Sequence, residues 1–149
     1  MVAKHFHNWK IDVDIDATQQ LYPQDCIGDS DACGCNECVN FAAQKLTIFP
    51  DDVYQLLRGM GINPGCETYI GCYGEIHPGQ FLYQGDYEFI GHVLEKPSNL
   101  QEHDRLELLP GLTIAISHTP GYNENNHPVA SIEFLVSIPW VIEATEIRE

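Results

Sequence analysis

Apolar side chains recur at every second position in three separate stretches of this chain, and that period limits its fold more than any motif does. Trp9, Ile11, Val13 and Ile15 alternate with Lys10, Asp12, Asp14 and Asp16. Leu112, Ile114 and Ile116 repeat the pattern, as do Ile132, Phe134, Val136 and Ile138. Successive side chains on a strand point to opposite faces, so each stretch predicts a strand with one apolar and one wet face. The last two are expected to form a hairpin. Its connection, from Thr119 to Pro128, reads as an exposed tip rather than a recognition loop. Asp12, Asp14 and Asp16 read as solvated carboxylates. A calcium loop is excluded because Ala17 stands where glycine is needed and Pro23 where a bidentate Glu is needed.

Between these strands, Thr68 to Tyr73, Gln80 to Tyr83 and Tyr87 to Leu94 carry β-branched and aromatic residues, with Gly85-Asp86 as a turn or bulge. Two helices interrupt the strand-rich sequence. One begins near Asn36 and places Val39, Ala42, Ala43 and Leu46 at three- and four-residue spacing; the other opens at Pro50 and carries Val53, Leu56 and Leu57 on one face. The stretch from Gln19 to Gly34, rich in turn-forming residues, reads as a loop. Helices segregated from strands predict an α+β fold: a largely antiparallel sheet with a helix pair packed on one face, in a single domain over residues 1–149.

Charge narrows the partners. With 22 acidic residues against 7 basic, a net charge of -15 would repel nucleic acid phosphates and anionic membrane surfaces. The reading is therefore no nucleic acid, no membrane, and a protein partner if there is one, with a small-molecule ligand left open. Residues 1–10 lack a secretory signal pattern and no apolar run is long enough to span a bilayer, so a cytoplasmic location is expected. Reducing conditions there would keep most of the six cysteines as thiols, which favours metal-bound or buried thiols over a structural disulfide framework.

Chemistry concentrates at one place. Cys26, Cys33, Cys35 and Cys38 fall within thirteen residues, and Cys35-Asn36-Glu37-Cys38 has the spacing of a zinc knuckle, whose turn aims two sulfurs at one centre. Cys33 and Cys26 are the candidates to complete a four-thiolate zinc site, with His7, His77, Cys66 or Cys72 as substitutes. Gly34 would permit the unusual turn that two closely spaced ligands need. A second reading makes Cys35 an attacking and Cys38 a resolving thiol at a helix start. A third has the cysteines simply packed, Cys38 beside Ala42 on the apolar helix face. Seven histidines stand in no catalytic spacing, and no phosphate loop, nucleophile elbow or zinc-protease helix occurs.

Several short patterns occur in order: an early aromatic strand, Cys35-x-x-Cys38-x-Asn40-Phe41, a Pro50-led helix with Leu56-Leu57, and Gly61-Ile62. Tyr83-x-Gly85-x-Tyr87-x-Phe89-x-Gly91 and a closing Phe134 to Pro139-Trp140-Val141 follow. In these the chain resembles a family of small bacterial proteins with no assigned activity; Cys26, Cys66 and Cys72 lie outside the pattern. The resemblance implies a bacterial, cytosolic α+β protein and carries over no catalytic residues. The expected function is a non-enzymatic interaction or accessory domain with a structural zinc at Cys26, Cys33, Cys35 and Cys38. The alternative is a small thiol-disulfide oxidoreductase.

Overall fold

The computed structural model describes residues 1–122 and 126–143. Strands β1 (Val2–Phe6), β2 (Trp9–Val13), β3 (Tyr69–His77), β4 (Gln80–Glu95), β5 (Leu106–Leu109), β6 (Leu112–Tyr122) and β7 (Pro128–Pro139) form one sheet. Every pairing in it is antiparallel, and the order is β1-β2-β4-β7-β6-β5 with β3 also on β4. Helices α1 (Ile15–Gln20), α2 (Asp29–Ala32), α3 (Asn36–Ala42) and α4 (Asp51–Gly59) complete an α+β fold with a mostly antiparallel sheet. No helix among the described residues is long and apolar enough to cross a membrane.

The alternating stretches at 112–116 and 132–138 are paired strands, as their period predicts. Ile114 lies opposite Phe134 and Ile116 opposite Ile132. The expected tip is shorter than its sequence suggests, because β6 runs on to Tyr122 and β7 starts at Pro128. Residues 123–125 of that connection lie outside the described residues, and so does the side chain of Tyr122.

β4 organises the sheet. Along one edge it pairs with β7 from Gln80 to Ile90. On the other edge the Asp86 carbonyl accepts from Thr68 N and the Ile90 carbonyl from Asp14 N, both at 2.9 Å. Alternate residues direct their carbonyls the same way. One edge of β4 therefore serves β3 and, farther along, β2. Gly91 permits the second contact: a Cβ there would overlap the Asp12 carbonyl oxygen.

The expected break at Gly85-Asp86 does not occur. β4 runs through both residues, because Gly85 is where the ring of Phe134 crosses the sheet, and a Cβ on Gly85 would lie 2.5 Å from Phe134 Cζ. Phe134 is 1% exposed. Its ring stacks on Phe41 of α3 at 5.9 Å, meets Phe49 edge-on at 5.0 Å and lies 5.9 Å from Tyr87. Around it, Tyr83, Phe89, Ile132, Val136, Leu112 and Ile114 make the buried face of the sheet.

The first alternating stretch behaves differently from the prediction. β2 is preceded by β1 across a two-residue turn in which His7 and Asn8 both take positive φ, 45° and 71°, as a type I′ hairpin requires. After Val13 the chain leaves the sheet, because Asp14 Oδ1 accepts from Ala17 N at 3.0 Å and caps α1. Asp16 then lies in the first turn of α1 rather than on a strand, and Asp12 Oδ1 accepts from His92 N at 2.9 Å. Of the three, only Asp16 is exposed; Asp12 and Asp14 are half-buried.

α4 follows its signals closely. Pro50 is the N-cap, Asp51 and Asp52 occupy the first turn and Arg58 the last, each charge placed to oppose the helix dipole. Gly61, at φ +89°, ends it in a Schellman motif: Ile62 N donates to Leu57 O and Gly61 N to Arg58 O.

Candidate metal centre

The segment that delivers the cysteines is not the plain loop expected between Gln19 and Gly34. It contains the end of α1 and the single turn α2, and two devices fix its course. The first is covalent. Cys26 is disulfide-bonded to Cys66, 40 residues away. The second begins at the next residue, Glu67, whose side chain is fully buried. Glu67 Oε2 accepts from Ser30 N at 2.7 Å, while Oε1 lies 3.1 Å from Lys45 Nζ. The same ammonium is 2.5 Å from Asp31 Oδ2 and 3.3 Å from Ser30 Oγ. Burial alone would raise the Asp31 pKa, but the Lys45 hydrogen bond, the Gly28 amide and the Lys45 charge outweigh it and hold the carboxyl below its usual range.

Gly28 belongs to this knot. A Cβ there would overlap the Glu67 carboxylate, so only glycine lets that carboxylate reach Ser30 N. Asp29 Oδ2 adds a bond from Ile70 N at 3.0 Å, tying α2 to β3. Sequence reasoning missed all of these residues. Lys45 and Glu67 are 22 residues apart and carry no local pattern that marks them as a pair.

α2 ends at Cys33, which has extended backbone and whose N–H donates to Asp29 O at 3.3 Å. Two residues on, Cys35 is the N-cap of α3, its Sγ accepting from Cys38 N at 3.4 Å. One helical turn lifts Cys38 beside it. The Sγ atoms of Cys33, Cys35 and Cys38 lie within 4.8 Å of one another, and Cys33 and Cys35 are 3.3 Å apart. Three sulfurs on a zinc at about 2.3 Å would stand about 3.8 Å apart, so small side-chain movements bring this trio onto one ion.

α3 is held to the sheet beneath the trio by Asn40, which is fully buried. Its Nδ2 donates to Tyr83 Oη at 3.3 Å and Pro139 O at 3.1 Å, and its Oδ1 accepts from Val141 N at 2.8 Å. Tyr83 Oη in turn donates to Glu37 O at 2.7 Å, in the first turn of α3. The cysteine-bearing turn is thereby fixed to β4 and β7.

The three thiols differ in environment. Cys33 is exposed, and hydrogen bonds from the Cys35 backbone and from the Cys35 and Cys38 thiols lower its pKa. Cys38 is half-buried, and that burial, with the neighbouring Cys35 and Cys33 sulfurs, raises its pKa.

Cys26 does not join the group, in contrast to the four-thiolate expectation: its sulfur is committed to Cys66, which also removes Cys66 as a substitute. Their separation of 40 residues offers no spacing from which to read the pairing. His7 is engaged 2.9 Å from Asp52, and His77 closes β3. Cys72 is half-buried in β3, where burial and then a hydrogen bond with Glu37 push its thiol up to about 12. Gly34, expected to supply an unusual turn, has no positive φ and nothing within 4 Å of where a Cβ would stand. His92 and His118 lie on strands, their rings 6.1 Å apart. Comparison with known proteins finds no matching family, no matching curated protein and no matching solved structure.

Proposed function

We propose that this chain is a non-enzymatic accessory or interaction domain built around a soft-metal site at Cys33, Cys35 and Cys38, with zinc as its ion. The observation that carries the reading is the convergence of three sulfurs within 4.8 Å at a surface turn braced by a buried ion cluster and a disulfide. Thiolates are the donors zinc prefers in such sites. In this reading α3 and α4 form a pair over the face that carries Phe134, and the site stands at the start of that pair. The resemblance to small bacterial proteins and a protein partner belong to the same proposal; the Cys26–Cys66 bond runs against the reducing cytoplasmic setting expected from the sequence.

Metal also reconciles two redox states in one chain. Conditions that allow the Cys26–Cys66 bond would oxidise three neighbouring free thiols, whereas thiolates bound to zinc are held from one another. The test is metal analysis of protein purified without chelator, with free-thiol counting. One zinc per chain, lost on Cys33→Ser and Cys35→Ser replacement, is the expected result. Metal-free protein with a readily reducible disulfide among Cys33, Cys35 and Cys38 would overturn it in favour of thiol-disulfide exchange.

A further inference from the structure

Tetrahedral zinc takes four ligands, and the described residues of this chain assemble three. All six cysteines and seven histidines lie among the described residues, and no other joins the group. Cys26 and Cys66 are bonded to each other, Cys72 Sγ accepts from Gly74 N, His7 faces Asp52, His92 faces Asp12, and His118 Nε2 accepts from Val93 N. The trio itself is one-sided, because Cys33 is exposed while Cys35 and Cys38 sit half-buried on the helix start beneath it.

We propose that the trio is a receptor for thiophilic ions that are satisfied by three sulfurs, the class represented by trivalent arsenic as arsenite. The proposal rests on the soft-metal reading of this site. Two features of the site favour a pyramidal ion. Its three bonds lie on one side and its lone pair on the other, which matches sulfurs on the protein side and solvent opposite. Its bond angles, close to a right angle, draw sulfurs nearer than the roughly 3.8 Å edge of a zinc tetrahedron; all three sulfurs lie within 4.8 Å, and one pair, the hydrogen-bonded thiols of Cys33 and Cys35, is already 3.3 Å apart. Arsenous acid would exchange its three hydroxyls for three sulfurs. Three As–O bonds break, three As–S bonds form, the thiol protons leave with the hydroxyls as three waters, and arsenic stays trivalent.

The test titrates the full chain, disulfide intact, with arsenite and separately with zinc. It reads arsenic–sulfur charge-transfer absorption, adduct mass and, for zinc, the ligand set by X-ray absorption. Expected is one arsenic per chain at a mass of the protein plus arsenic less three protons, lost in each of Cys33→Ser, Cys35→Ser and Cys38→Ser and kept in Cys72→Ser. Zinc should show three sulfurs and one oxygen. Because Cys33 is exposed, Cys33→Ser should keep the wild-type far-ultraviolet circular dichroism, so its loss of arsenic would report on the site and not on folding. Arsenic retained in Cys33→Ser would overturn the three-sulfur receptor. Zinc held by four protein ligands with no arsenite adduct would overturn it while leaving the soft-metal reading intact. Failure of both ions to bind would overturn both.

Discussion

The sheet around Phe134 and the corner around Glu67 are both buried, yet they are held by opposite means. Phe134 is surrounded by rings and aliphatic side chains that need only adequate volume and the right face. Glu67 is surrounded by an ammonium, a hydroxyl-bearing turn and a glycine, each of which must be that residue in that place. Packing of the first kind degrades gradually when altered. A buried charge cluster does not, because removing Lys45 or Glu67 leaves the other charged where little or no water reaches it.

The largest effects should come from striking each region once. Phe134→Ala is expected to cost about 3–5 kcal/mol through the cavity it leaves. Glu67→Ala should cost about as much, about 3–5 kcal/mol, by breaking the buried pair with Lys45, which keeps only Asp31, and by leaving the buried Ser30 N–H without its acceptor. Denaturant unfolding would measure both. The contrast lies in rescue: Lys45→Met with Glu67→Leu should recover part of the loss, since an apolar pair of similar volume removes the buried ammonium, while the Ser30 N–H stays without its acceptor. A double variant as unstable as Glu67→Ala would erase the distinction between the two regions.

Next in size is the disulfide. Replacing Cys26 and Cys66 together by Ser should cost about 2–4 kcal/mol by freeing a long loop in the unfolded chain. It should also weaken zinc binding at the proposed Cys33, Cys35 and Cys38 site, because the segment leading to Cys33 loses its anchor. Zinc affinity unchanged beside a lowered denaturation midpoint would show that the corner stabilises without positioning.

Asp86 sharpens the comparison from the wet side of β4. Burial first, then the charges of Glu88, Glu133 and Asp29, push its carboxyl up to about 6. An acid with a folded pKa above its unfolded value of 3.8 binds its proton more tightly when folded, so stability falls as pH rises from about 4 through about 6. Asp86→Asn should therefore melt higher than the wild type at pH 7, the gap closing near pH 4. A gap that persists at pH 4 would place its origin in something other than charge.

The smallest expected effect is at Gly34, and it sets that residue apart from Gly28, six residues earlier. Gly34→Ala should change stability by no more than about 1 kcal/mol, and toward greater stability, because nothing stands where its methyl would go. Gly28→Ala should behave like a loss of the ion cluster. Equal effects at the two positions, read from unfolding midpoints, would contradict the packing of the corner.

These same regions differ in how far they can be read without coordinates. Ile114, Ile116, Ile132 and Phe134 announce their strands because a half-buried sheet forces period two on the sequence. Pro50 and Gly61 announce the limits of α4 because caps are local. Cys35 at a helix start was equally legible. What was lost is long-range. Gly85 looks like a turn until Phe134, on another strand, is known to cross it. Asp14 continues an alternating pattern until its side chain caps a helix and turns the chain away. The Cys26–Cys66 bond and the Glu67–Lys45 pair have no periodicity at all.

The antiparallel pairing of β2 with β4 also has a consequence in time. Asp12 meets His92 across 80 residues of chain, which a ribosome extending by roughly 5–20 residues per second needs about 4–16 s to add. For that interval the β1–β2 hairpin has emerged with one edge unpaired and Trp9, Ile11 and Val13 uncovered. Chaperone demand and aggregation during synthesis should therefore peak before β4 is made, and a pause placed between the two should lengthen the exposure.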